Sequence, residues 1–235
     1  MFKFEKVSRF EGVDIAAPIR KTENSACYDM VAAEDVIIQP YLASVNVLGQ
    51  IVQQQRLSEE VIGVIQKVIE NQGEEAADQM INSIMTCSLD EVSELTKMTG
   101  IKPALVPTGY KAYMDKGYSL DLYVRSSSPL KYWLIMANST GIIDADYVDN
   151  PDNEGEIFFQ LINLLPFPIR IKKGEIIGQA KFVKYETTDD DDIQEKSTRV
   201  GGFGSTSEEE EEEIETIVPE IIETIVPEII EEEIC

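Results

Sequence analysis

Among the 235 residues there is no histidine, which excludes His-dependent triads, His-based zinc sites and imidazole general bases. Acid–base chemistry must then fall to Asp, Glu, Lys, Tyr or Cys. Cysteine is nearly as scarce. Cys27, Cys87 and Cys235 are too few and too scattered for a disulfide framework or a CxxC metal site, and unpaired thiols suit a reducing compartment. Long apolar runs are also missing: no stretch reaches the roughly 18 residues of a membrane span. The opening MFKFEKVSRFEG lacks the apolar core of a signal peptide, so a soluble cytoplasmic protein is expected. Positive charge is the last shortage, with 20 Lys and Arg against 44 Asp and Glu and a formal net charge of −24. Residues 208–235 hold thirteen Glu and no Lys or Arg, so the rest of the chain carries −11. Such a surface repels nucleic acid and anionic membranes, and neither is expected as a partner. It also makes any local basic cluster informative about a phosphate ligand.

Several short apolar and β-branched segments punctuated by Pro and Gly are present: residues 26–40, Ala104-Leu-Val-Pro-Thr-Gly109, YKAYMD, YSLDLYV, LIMA, GEIFFQLINLL, FPIRI and IIGQAKFVKY. With no alternating helices between them, they predict a mainly β fold, a barrel or jelly roll. Between Leu42 and Gly100 the periodicity changes. Leu57, Val61, Val64, Ile65, Val68 and Ile69 fall on one helical face, and Ala77, Met80, Ile81, Ile84 and Met85 on another. Ser88-Leu-Asp-Glu91 has the form of a capping box that opens a further helix, which Gly100 can close. The expected organisation is barrel (1–41), helical insertion (42–102), barrel (103–185), linker with a glycine-rich arm (186–207) and an acidic low-complexity tail (208–235). In the tail the octapeptide ETIVPEII occurs twice in succession. Its prolines oppose a continuous helix. A disordered acidic tail and a docking segment both stay open.

Three stretches carry ligand chemistry. Arg125-Ser126-Ser127-Ser128 follows a strand and is ended by Pro129, placing a forked guanidinium beside short hydroxyl donors, a suitable phosphate clamp. Asn138-Ser-Thr-Gly141-Ile-Ile143-Asp144-Ala-Asp-Tyr147 gathers an amide, a glycine turn, a carboxylate and an aromatic ring within ten residues. Arg199 and Gly201-Gly-Phe203-Gly204-Ser205-Thr206 combine close backbone approach with one ring able to cover a flat base.

Taken in order, these stretches resemble the five motifs of the trimeric dUTPase family: Ala26-Cys-Tyr-Asp29-Met, Arg125-Ser126-Ser127, Asn138 to Tyr147, Lys173-Gly-Glu-Ile-Ile-Gly-Gln179, and Arg199 with Gly201 to Thr206. The resemblance implies a Mg²⁺-dependent hydrolase that splits dUTP into dUMP and pyrophosphate, acting as a homotrimer with shared active sites. By the same resemblance Asp144 orients and deprotonates the attacking water, while Asn138, Gly141 and Ile143 belong to a hairpin that reads uracil. Tyr147 would pack on the deoxyribose and exclude a 2′-hydroxyl. Arg125, Ser126, Ser127 and Gln179 would hold phosphates, and Asp29 would touch the Mg²⁺ shell through water. The arm would close over the site, with Phe203 stacked on uracil and Gly204, Ser205 and Arg199 at the phosphates. A phage or virus source, with host cytoplasm as the compartment, is an expectation from this resemblance alone.

The chain departs from the family pattern in three places. Only Val200 separates Arg199 from Gly201, Tyr147 is followed by an added VDNPDNE loop before Gly155-Glu156, and the helical insertion contains none of the motifs. The loop is read as a cap on the barrel, with a metal contact as the alternative. The insertion is read as a small bundle or as a platform for a protein partner. One rival is dCTP deaminase, which has the same barrel. Its catalytic Glu would fall where this chain has Gln160, which cannot shuttle a proton. The other is a nucleotide-gated regulatory protein that binds a partner through the insertion or tail.

Overall fold

A computed structural model describes residues 1–191. The sequence expectations for Arg199, Phe203, Gly204 and Ser205 and for the acidic tail lie outside the described residues. In chain order the elements are β1 (Lys3–Lys6), a 3₁₀ turn (Ser8–Phe10), β2 (Tyr28–Val31), β3 (Val36–Ile38), α1 (Tyr41–Arg56), α2 (Glu59–Gln72), α3 (Glu74–Met85) and α4 (Leu89–Thr99). They continue with β4 (Ala104–Pro107), β5 (Tyr110–Tyr113), β6 (Tyr118–Tyr123), α5 (Ser127–Tyr132), β7 (Leu134–Met136), β8 (Gly141–Ile143), β9 (Phe158–Asn163), β10 (Ile169–Ile171) and β11 (Ile176–Lys184).

The strands form a four-stranded sheet in the order β2-β11-β6-β8, a three-stranded sheet β4-β9-β7, and two ribbons, β1-β5 and β10-β3. Period-two alternation decides which way each strand faces. In β6, Leu120 and Leu122 turn inward while Asp121 and Tyr123 face away, and the inward set meets Met30, Val106, Ile157, Phe159 and Leu161 in one core. Fully burying a ring the size of Phe159 contributes about 2–3 kcal/mol. That ring lies against the backbone of Gly178, where an added Cβ would come within 2.1 Å of it. The register of β11 against β2 shifts between Ile176 and Gly178, so this glycine sits where the strand is bulged and crowded.

The four helices α1 to α4 enter between β3 and β4. The faces expected from the periodicity meet each other: Ile65, Val68 and Ala77 are buried, with Leu57, Val61, Met80 and Ile81 packed around them. Ile69 departs from this face and is 41% exposed. Ser88 and Glu91 form the expected capping box, and Gly100 closes α4 in the left-handed conformation. The first helix, α1, had no distinct apolar face in the sequence, and none of its residues is buried. Arg56 at its end donates to the carbonyls of Ile84 and Thr86 at 2.7 and 2.6 Å and pairs with Glu91, tying α1, α3 and α4 together.

One local expectation is corrected. Pro129 does not end the serine run at a turn but stands in the first turn of α5, where its missing N–H would have no intrahelical partner anyway. Among the described residues no helix is long and apolar enough to cross a membrane.

Candidate active site

Strand register brings together residues far apart in sequence. Gln179 on β11 stands opposite Asp29 on β2 and, on its other side, opposite Tyr123 on β6. Arg125 lies two residues beyond the end of β6, and its Nε is 3.5 Å from Asp29 Oδ1. Gln179 Nε2 donates to the carbonyl of Val124 at 3.3 Å, which turns the amide toward the same corner. Asp29 is 8% exposed, and its Oδ2 has no hydrogen-bond partner. An unsatisfied buried carboxylate oxygen is costly, so this corner is short of a donor. Ser126 is exposed and Ser127 half-buried at the start of α5, directly after Arg125 in the chain.

The second group is built on the turn that joins β7 to β8. β7 pairs with β9 in one sheet and β8 with β6 in the other, so this connection bridges the two sheets. Its tip carries exposed Asn138, followed by Ser139 at φ +57°, and Thr140 N–H donates to the Asn138 carbonyl at 2.6 Å. A non-glycine residue in this region is strained and marks a turn held by its surroundings. Gly141 is buried against Leu122, and Ile143 is half-buried. Asp144 follows directly, half-buried, and its carbonyl accepts the N–H of Tyr147 at 3.1 Å. Tyr147 is only 5% exposed, so its ring can offer a ligand no more than a narrow strip.

These two groups are apart within one chain. Asp29 and Asp144 are separated by the width of β11 and β6 and by about four residues along the strands, a distance of roughly 20 Å at standard sheet spacings. Asp29, Arg125 and Gln179 form one cluster; Asn138, Gly141, Ile143, Asp144 and Tyr147 form the other. Among the described residues, no group of three or more Cys, Asp or Glu side chains could hold a metal ion.

Sequence reasoning missed the residues that fix Tyr147. In the added loop, Asn153 Nδ2 donates to the Tyr147 phenol oxygen at 2.8 Å, while the phenol donates to the Glu156 carbonyl at 3.1 Å. Asn150 Nδ2 donates to the Tyr147 carbonyl at 2.8 Å. The Asn-Pro-Asp-Asn run was a legible signal, since Asx side chains bond their own backbone in tight turns. The partners they would find were not legible. Also missed was Glu156, 2% exposed, which accepts the N–H of Gly109 at 3.1 Å and pairs with Arg9 at 2.9 Å. Burial pushes its carboxyl up to about 7, against the lowering pull of Arg9.

The described residues thus define a β-barrel protein with a helical insertion, carrying an arginine–carboxylate–amide corner and a strained turn that leads through β8 to Asp144. No family model matches the chain. The deoxyuridine 5′-triphosphate nucleotidohydrolase of Lactococcus lactis is 34% identical over 203 residues, 86% of this chain and 95% of that protein. The enzyme of the same name from Hydrogenobaculum is 34% identical over 118 residues, 49% of this chain and 78% of its own length. Among solved structures, the dUTPase of Streptococcus mutans matches with a TM-score of 0.50 at 26% identity, covering 79% of this chain and 98% of that one. The chain belongs to the deoxyuridine 5′-triphosphate nucleotidohydrolase family, the dUTPases.

Proposed function

We propose that this chain hydrolyses dUTP to dUMP and pyrophosphate, with Asp144 accepting the proton of the water that attacks the α-phosphorus. The observation that carries this reading is the meeting of Asp29, Arg125 and Gln179, from three separate motifs, at one corner of a barrel in a chain of this family. Phosphoanhydride hydrolysis needs positioning and charge neutralisation more than covalent chemistry. Arg125, Ser126, Ser127 and Gln179 supply cationic and neutral donors for phosphate oxygens, and one carboxylate suffices as base, which is how a chain without histidine can do it. Uracil would be read at the β7–β8 turn by Asn138 and the backbone from Gly141 to Ile143. Tyr147 would exclude the 2′-hydroxyl of UTP.

Mg²⁺, when bound with the triphosphate, would supply further charge neutralisation. A single carboxylate with an unpartnered oxygen, Asp29 Oδ2, fits a contact to the ion's water shell rather than a protein-built cage. The separation of roughly 20 Å between Asp29 and Asp144 is too long for both to serve one triphosphate within one chain. It supports a homotrimer in which one copy contributes the Arg125 corner and another the β7–β8 turn.

The test is pyrophosphate release from dUTP, dCTP, UTP and dTTP side by side, with and without Mg²⁺, for the parent and Asp144→Asn. The parent is expected to prefer dUTP. The variant should keep dUTP binding while turnover falls by roughly two to four orders of magnitude, as expected for loss of a general base. Near-parental turnover at saturating dUTP would remove Asp144 from this role.

A further inference from the structure

We infer that Asn153 is a positioning residue for sugar selectivity: it locks the Tyr147 ring in place, which makes the added loop after Tyr147 a specificity element rather than a cap. The inference rests on the reading of Tyr147 as the residue that meets the sugar, and it adds what makes that residue effective. Tyr147 is held at both ends. Its carbonyl accepts from Asn150 Nδ2 at 2.8 Å, and its phenol oxygen accepts from Asn153 Nδ2 at 2.8 Å while donating to the Glu156 carbonyl at 3.1 Å.

Asn153 is itself fixed by the loop. Its Oδ1 accepts from Asn150 Nδ2 at 2.9 Å and from Gly155 N–H at 3.0 Å, and its own N–H donates to Asn150 Oδ1 at 3.1 Å. Gly155, at φ +79°, closes the loop so tightly that a Cβ there would lie 2.7 Å from the Tyr147 carbonyl oxygen and 2.7 Å from the Val148 Cα. Asp149 anchors the outside of the loop through Lys111 and through Tyr113, whose hydroxyl donates to it at 2.8 Å.

A ring excludes one extra hydroxyl only as well as it resists being pushed aside, because the penalty on the wrong sugar is capped by the cheapest displacement of the wall. For a tyrosine that displacement is a small swing of the ring about its side-chain bonds. Bonding the phenol from two sides removes it. With so narrow a strip of the ring exposed, a small swing would change most of what a sugar meets.

The experiment measures kcat/KM for dUTP and UTP with the full chain in the parent, Asn153→Asp, Tyr147→Phe and the double variant, with Tm for each. Asp at 153 keeps an oxygen for Gly155 N–H and Asn150, but its other oxygen can only accept, so the phenol's single proton serves either it or the Glu156 carbonyl and one of the two bonds is lost. Asn153→Asp should lower the dUTP to UTP ratio about fivefold, the worth of one net hydrogen bond; Tyr147→Phe, which loses both phenol bonds, should lower it at least as much, and the double variant no further than Tyr147→Phe alone. Fully additive effects, or a lower Tm with an unchanged ratio in Asn153→Asp, would assign Asn153 a purely structural role and overturn the inference. Should Asn153→Asp not fold, Tyr147→Phe removes the Asn153 bond together with the one to the Glu156 carbonyl, and an unchanged ratio there overturns the inference equally. Tyr147→Ala separates the two levels. If it lowers the ratio while Asn153→Asp does not, only the inference falls; if it too leaves the ratio unchanged, the reading of Tyr147 falls and the inference with it.

Discussion

The barrel buries Met30, Ile38, Leu120, Leu122, Phe159 and Leu161 to 2% exposure or less, whereas among the described residues of the insertion only Ile65, Val68 and Ala77 are buried. The barrel core joins residues far apart in sequence through antiparallel register. The insertion relies on caps at Ser58 and Ser88, one small apolar seam and the Arg56 clasp. The difference teaches where each region tolerates change. Crowding decides in the barrel, and local helix energetics decide in the insertion.

Glycine to alanine tests this directly, because the same added methyl should act with opposite sign in the two regions. Gly178→Ala in the barrel drives a methyl into the Phe159 ring and should destabilise the fold by about 3 kcal/mol, read by chemical denaturation. A loss under about 1 kcal/mol would mean that the Phe159 ring can shift aside and that the barrel is less tightly specified than its burial indicates.

Glu156→Gln probes the barrel's buried charge. The Glu156 carboxyl is raised from 4.5 to about 7 by burial. Its contribution to stability is therefore fully present below pH 4.5 and is lost as pH rises through 7. Glutamine stays neutral, so its Tm should gain on the parent's across that window, the gain levelling off above it. Parallel Tm curves from pH 4.5 to 8 would show that Arg9 and Gly109 N–H compensate the ionised form fully.

The smallest effect is expected from Gly63→Ala in α2, where an added Cβ meets nothing within 4 Å. Helix propensity alone predicts a gain of about 0.8 kcal/mol. A loss would reveal an unseen neighbour on that face, such as another copy of the chain, and would blur the contrast between the regions.

Local signals made much of the molecule legible. The alternation in YSLDLYV and the apolar run GEIFFQLINLL identified β6 and β9, and Ser88 to Glu91 marked the start of α4. Where the local signal was weak, elements went unread. β1 was not marked as a strand because its partner β5 lies about a hundred residues away, and α1, though inside the expected helical insertion, was given no apolar face because it has no buried stripe. At Pro129 the local rule pointed the wrong way, because proline is as acceptable in a helix's first turn as in a loop.

The candidate site divides in the same manner. Residue chemistry along the chain pointed to Arg125, Asp144 and Tyr147 as candidates, and the resemblance to the five family motifs added Asp29 and Gln179. Tertiary structure alone decided that Asp29, Arg125 and Gln179 share one corner while Asp144 stands roughly 20 Å from Asp29. It alone decided that Asn153 bonds the Tyr147 phenol and that Glu156 is buried beside Arg9. The physical reason is that composition and periodicity report which chemistry a segment can offer, whereas strand register and long-range packing determine which segments meet.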